Sequence, residues 1–191
     1  MEGHKYNAAD ITVLTGDQSI RRRPGMYFGI GPDRPEFPSR VLRAAVEDAL
    51  HLEGGEHRDV HLEIRSGLDF VVTFEQGRLC REPMDVLFDR PRWWGLRSVA
   101  AVSERVLIEV QEGRRGARQE LRPGTSPSPV TSFTASDETK TSIFVYLDPE
   151  YCGRGAALTP PDASELHGEW CVGAASAGVV TVTDLRHRAP S

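Results

Sequence analysis

Residues 20–29 read Ile-Arg-Arg-Arg-Pro-Gly-Met-Tyr-Phe-Gly, in which three consecutive arginines run directly into a Pro-Gly pair. Apolar residues recur between Ile11 and Ile20 and predict a short helix that leads into the arginines. Pro24 disfavours helical geometry in the residue before it, so we expect the helix to end there. A loop rich in glycine and proline, residues 31–38, follows.

The next segment predicts a helix and then a hairpin. Ser39 is a suitable N-cap, because apolar residues recur after it at helical spacing up to Leu50. Apolar residues occupy every second position in residues 60–64 and again in residues 68–74, with Ser66-Gly67 between the two segments. Alternation of this kind on both sides of a short turn predicts two antiparallel strands.

The same periodicities predict the remaining elements. These are a helix at 96–102, strands at 106–110, 143–147 and 179–185, and a weak helix at 162–175. The residues from Gly113 to Gly116 are expected to turn the chain after the first of these strands, with Arg114 and Arg115 solvated in the turn. The order predicts an α+β fold, a two-layer sandwich with helices on one face of a mixed sheet.

Composition sets the broad class. The chain has 191 residues, enough for one globular domain, and a net charge of −5 with a pI near 5.7. General nucleic-acid-binding surfaces carry a basic excess, so direct DNA binding is not expected. The three cysteines lie far apart and give neither a disulfide framework nor a zinc signature. Without an apolar leader or a run of about 20 apolar residues, we expect a cytoplasmic protein without membrane partners.

The opening segments resemble one family. Residues 6–14, Gly16 and residues 20–29 resemble the start of the ATPase domain found in the B subunit of DNA gyrase and in topoisomerase IV, of the GHKL superfamily, with Pro-Gly-Met-Tyr in register. Weaker likeness continues through residues 75–78, 99–103, 139–141 and 177–186. The resemblance implies one domain over residues 1–191 with the two-layer GHKL (Bergerat) fold. Residues 1–10 would form an N-terminal arm and 186–191 a tail, and the family's transducer and DNA-cleavage domains would be absent.

The resemblance also implies that the catalytic machinery is eroded. The family's general base, a glutamate, corresponds to Ala44, which cannot take a proton, so no catalytic residue is assigned. Its magnesium-binding asparagine, one helical turn later, corresponds to Asp48, whose carboxylate is chemically able to hold Mg²⁺. Glu47 is a weaker candidate for a substitute base, because it is skewed round the helix from Ala44.

The adenine end of the family's site is altered but still present. Glu75 replaces the aspartate that reads adenine, Gly77 and Arg78 match the family, and Thr141 matches a threonine of the adenine site. Tyr6 matches the arm tyrosine, which in the family reaches the site of the partner protomer. The resemblance therefore implies a vestigial nucleotide site for ATP.

The largest departure is the lid. The family carries a long glycine-rich segment whose backbone amides wrap the phosphates, whereas this chain has a shorter segment ending in Arg92-Trp93-Trp94-Gly95. Indoles cannot approach phosphate oxygens as glycine backbone does. Trp93 and Trp94 are expected either to fill the core or to line a pocket or partner surface.

Three functions remain open from the sequence. The first is a non-catalytic interaction or regulatory module, a homodimer or a partner of a gyrase or topoisomerase subunit. The second is an ATP-binding protein, with Mg²⁺ and residual hydrolysis of the type II topoisomerase kind. The third is a small-molecule binder or decoy for inhibitors of the gyrase ATP site.

Overall fold

The computed structural model describes residues 14–50, 59–75, 94–166 and 178–186. The first helix, α1 (Gly16–Arg22), begins at a capping box in which Thr15 and Gln18 bond each other's backbone N–H groups. It ends before Pro24, as predicted, and α2 (Gly25–Phe28) follows at once. Gly29 ends α2 with φ = 77°, a conformation that favours glycine.

The long helix α3 (Phe37–Leu50) was predicted, but its start was wrong. The helix begins two residues before Ser39, since Pro38 fits a first helical turn, where no backbone N–H is required. The Ser39 hydroxyl instead accepts a hydrogen bond from the backbone N–H of Thr159 at 3.0 Å. This bond joins α3 to a distant part of the chain.

The described strands are β1 (Val60–Ile64), β2 (Asp69–Glu75), β3 (Ser103–Leu121), β4 (Thr131–Leu147) and β5 (Val180–Asp184). They form one five-stranded mixed sheet in the order β3-β4-β2-β1-β5. The parallel pair joins β1 to β5, and the other neighbouring strands are antiparallel. The remaining elements are α4 (Trp94–Ala101), α5 (Pro149–Cys152) and a 3₁₀ turn (Ala163–Leu166). The hairpin predicted at 60–74, the helix predicted at 96–102 and the strand predicted at 179–185 are confirmed.

The turn predicted from Gly113 to Gly116 is wrong. Strand β3 runs through this stretch without reversing and stays paired to β4 on both sides of it. A bulge between Gly113 and Arg115 absorbs the irregularity, and the positive φ of 56° at Gly113 is available to glycine without strain. Arg114 and Arg115 therefore lie on a strand.

The core lies between the helices and one face of the sheet. Alternate strand residues such as Leu62, Val72, Ile108 and Val145 are fully buried there against the apolar face of α3. This arrangement confirms the predicted α+β class and is compatible with a GHKL-type two-layer sandwich. The weak helix expected at 162–175 is represented by the 3₁₀ turn, and its remainder lies outside the described residues.

No helix within the described ranges is both long and apolar enough to cross a membrane.

Candidate functional site

The two positions of α3 that the resemblance assigns to the family's catalytic pair differ in surroundings. Ala44 packs half-buried against the core. Glu47, the weaker candidate for a base, accepts a hydrogen bond from Nε of Arg43 at 2.7 Å. An i, i+4 ion pair of this kind lies along the side of a helix. The Glu47 carboxylate is thus held by a neighbouring cation rather than aimed at a reacting group.

Asp48 lies against the beginning of α4. Its Oδ2 accepts a hydrogen bond from the backbone N–H of Leu96 at 2.8 Å, and the N–H of Gly95 also donates to the carboxylate. The first N–H groups of a helix have no partners inside the helix and carry its positive dipole end. Asp48 therefore caps α4 from a different helix, an arrangement that sequence spacing cannot reveal.

The Asp48 carboxyl group is easier to protonate than a free aspartate. Burial raises its pKa from 3.8 to about 6, and the nearby Glu47 charge acts in the same direction. The N–H groups of Leu96 and Gly95 favour the charged form but do not offset the burial. The group is therefore mostly ionised at neutral pH, at a cost to the folded state.

Gly95 is required by this contact. A Cβ atom at this position would overlap all three terminal atoms of the Asp48 side chain. Glycine lets the helix start approach the carboxylate closely, and this pairing is the part of the site that sequence reasoning missed. The signal available was a glycine directly before the helix predicted at 96–102, a position where a close approach of other groups to the helix start can require glycine.

Thr141 occupies the core face of β4, opposite Phe74 of β2 and Val110 of β3. The residue is only 1% exposed, and its Oγ1 has no hydrogen-bond partner within the described part of the chain. A buried hydroxyl without a partner costs about 1–3 kcal/mol. Among the described residues of the predicted nucleotide site, Thr141 therefore has a hydroxyl group without a hydrogen-bond partner.

Glu75 lies on the opposite face from Thr141. It pairs with Lys140 across the strands, and neighbouring residues of a strand point to opposite faces. Glu75 is exposed and lines an open groove of about 520 Å³ with Thr73, His61 and Lys140. The structure thus does not bring Glu75 and Thr141 together on one face.

The other predicted site residues are not all within the described ranges. Tyr6, Gly77, Arg78 and Trp93 lie outside them. Trp94 begins α4, and its side chain is outside what the structure describes. The roles assigned to these residues stay predictions.

The described residues alone do not assemble the predicted Mg²⁺ site. Mg²⁺ takes several oxygen ligands in octahedral geometry. Asp48 faces backbone N–H groups, and Glu47 is bound to Arg43. The described residues contain no group of three or more histidine, cysteine, aspartate or glutamate side chains that could hold a metal ion.

No protein-family model matches the chain. It is 25% identical over 172 residues to the novobiocin-sensitive gyrase B protein of Streptomyces niveus, an alignment that covers 76% of this chain and 25% of that protein. It is also 25% identical over 176 residues to the gyrase B protein of Chlamydia pneumoniae, covering 76% of this chain and 22% of that protein. The chain spans about a quarter of the length of these curated relatives. The similarity is distant, and it supports a gyrase-B-like relationship.

Proposed function

We propose that this chain is a gyrase-B-like domain of the GHKL type that does not hydrolyse ATP and acts as an interaction or regulatory module. The contact between Asp48 and the first turn of α4 carries the proposal. Its partner is a second copy of the chain or a gyrase or topoisomerase subunit.

The position of Asp48 favours loss of phosphate binding. Free N–H groups at a helix start are a ready anion site. In this chain an internal carboxylate already bonds the N–H groups of Gly95 and Leu96. A phosphate approaching the same N–H groups would meet the negative charge of Asp48, with Glu47 next to it in sequence.

The surroundings of Ala44 favour loss of the chemical step. General-base catalysis contributes about 10²–10⁴-fold to the rate of such reactions. Alanine supplies no base, and the neighbouring carboxylate of Glu47 is engaged in its ion pair with Arg43. Hydrolysis would lack both a proton acceptor and a cradle for the phosphates.

One observation favours a second candidate, a domain that binds ATP or an inhibitor of the ATP site without cleaving ATP. The hydroxyl of Thr141, at the position of the family's adenine-site threonine, is buried without a partner among the described residues. A ligand that reaches it would satisfy the hydroxyl. This candidate retains Thr141 of the adenine end and gives up the phosphate chemistry.

Thermal unfolding separates the two candidates. A ligand at about 100 times its dissociation constant stabilises a protein by about 2.7 kcal/mol. We expect no change in Tm for the full chain with Mg-ATP, ADP or an inhibitor of the gyrase ATP site. A shift with the inhibitor alone would favour the decoy function, and a shift with ATP would favour the second candidate over the module without nucleotide.

Thr141→Val tests the buried hydroxyl itself. Valine keeps the shape and removes the unsatisfied group, so we expect the free energy of unfolding to rise by about 1 kcal/mol. Thr139→Val, on the same strand at an exposed position, is the matched control and should change stability by less than about 0.5 kcal/mol. A loss of stability in Thr141→Val, together with loss of a ligand-induced shift, would mean that the hydroxyl serves a bound ligand.

A further inference from the structure

Among the described strands, β3 lies at an edge of the sheet. It has 19 residues, which corresponds to an edge of about 60 Å. One side of β3 pairs with β4, and no other described strand pairs with its second side. Strands of this length are several times longer than the average of about five to six residues.

The edge carries only part of the usual protection. Sheet edges present unpaired N–H and C=O groups, and proteins commonly block them with lysine and other charges, proline, bulges or a short strand. Residues 103–121 contain neither lysine nor proline, but they include eight charged residues of both signs. The pairing with β4 shifts register between Ser103 and Arg105 and again between Gly113 and Arg115, and the second shift separates two runs of the strand.

The two runs carry opposite charge. Residues 103–112 contain three glutamates and one arginine, and residues 113–121 contain three arginines and one glutamate. Antiparallel pairing of two copies about a two-fold axis places the first run of each copy against the second run of the other. The net negative run of each copy then faces the net positive run of the other, whereas parallel pairing would place runs of like net charge together.

Several of these charged side chains have no ion-pair partner within the described residues. Arg105 lies 3.9 Å from the Tyr146 ring centroid, Arg118 stacks on Phe133 and Glu120 pairs with Arg122. The other charged residues of β3 make no ion pair with another described residue. They are Glu104, Glu109, Glu112, Arg114 and Arg115. Of these, Glu112, Arg114 and Arg115 lie near the centre of the strand, where Glu112 and the arginines flank the bulge.

We propose that two copies of this chain associate through antiparallel pairing of their β3 edges, with the glutamate-rich run of one copy against the arginine-rich run of the other. The free side of β3 faces away from β4, which carries Thr141, and Asp48 lies on α3, so the proposal goes beyond the loss of nucleotide chemistry. It also differs from pairing through the N-terminal arms, which the resemblance implies.

Charge reversal provides the test, using the full chain without nucleotide in sedimentation equilibrium. One variant combines Arg114→Glu with Arg115→Glu, and the other combines Glu109→Arg with Glu112→Arg. We expect the unchanged chain at twice its 21.1 kDa mass, each variant alone as a monomer, and an equal mixture of the two as a dimer. High salt should weaken the unchanged dimer.

The control is Arg40→Glu, an exposed position on α3, which should stay dimeric. Circular dichroism establishes that every variant is folded. A monomeric unchanged chain would overturn the proposal, as would variants that each remain dimeric or a mixture that stays monomeric. A chain that is monomeric alone but binds a gyrase subunit would likewise exclude self-pairing. These outcomes are independent of the ligand-induced Tm shifts, so each proposal can fail separately.

Discussion

Asp48→Asn is expected to stabilise the protein more at neutral pH than near pH 3. The free energy of unfolding of the variant minus that of the unchanged protein should be up to about 3 kcal/mol larger at neutral pH. The pKa of Asp48 is about 6 in the folded protein, against 3.8 for the ordinary side chain. The folded state therefore binds the proton more tightly, and the unchanged protein loses stability as pH rises from about 4 to 6. One pKa unit corresponds to about 1.4 kcal/mol, which gives the size of the effect.

Urea unfolding between pH 3 and 8 measures this difference. The difference in free energy of unfolding between variant and unchanged protein should increase from pH 4 to pH 6 and stay constant above pH 7. Asp148→Asn is the opposite control. Burial raises the pKa of Asp148, but hydrogen bonds from Arg21 and from the N–H of Tyr151 outweigh it and hold the pKa below its usual value. That variant should lose stability at neutral pH and approach the unchanged protein as pH falls. A gap for Asp48→Asn that does not vary with pH would contradict the buried capping contact.

Phe37→Ala is expected to destabilise the fold by about 3–5 kcal/mol. Phe37 is fully buried at the start of α3, and its ring meets those of Phe28 and Tyr151 edge to face at 5.5 and 5.9 Å. One side chain therefore joins α2, α3 and α5, and alanine would leave a cavity between them. Met26→Ala, next to the same segment but 74% exposed, should change stability by less than about 0.5 kcal/mol. Chemical denaturation measures both, and a loss below about 1 kcal/mol for Phe37→Ala would show that this cluster is not part of the stable core.

Local patterns predicted most of the fold. The alternation at 60–64 and 68–74 holds because one face of the hairpin is buried under α3. The errors lie where a residue has two compatible uses. Gly113 suits a turn and also a bulge, and long-range pairing with β4 decides for the bulge. Ser39 suits an N-cap, but its hydroxyl bonds Thr159, which is 120 residues away in the chain.

The site was less accessible from sequence than the fold. Helical spacing correctly separates the position of Ala44 from that of Asp48 by one turn. It does not say that α4 begins beside that turn, because the contact joins residues 48 apart in sequence. The orphan hydroxyl of Thr141 is likewise a property of packing, since threonine is common on strands whether or not its oxygen is satisfied.

Release of phosphate from ATP by the full chain tests whether this domain hydrolyses ATP. We expect a rate with Mg-ATP no greater than that without protein, under conditions in which an authentic gyrase B protein turns over. Glu47→Gln should behave identically, because the Glu47 carboxylate is bound to Arg43 and serves no chemical step. Phosphate release that rises with the concentration of the unchanged chain and is lost in Glu47→Gln would show that the domain hydrolyses ATP and would identify Glu47 as the base.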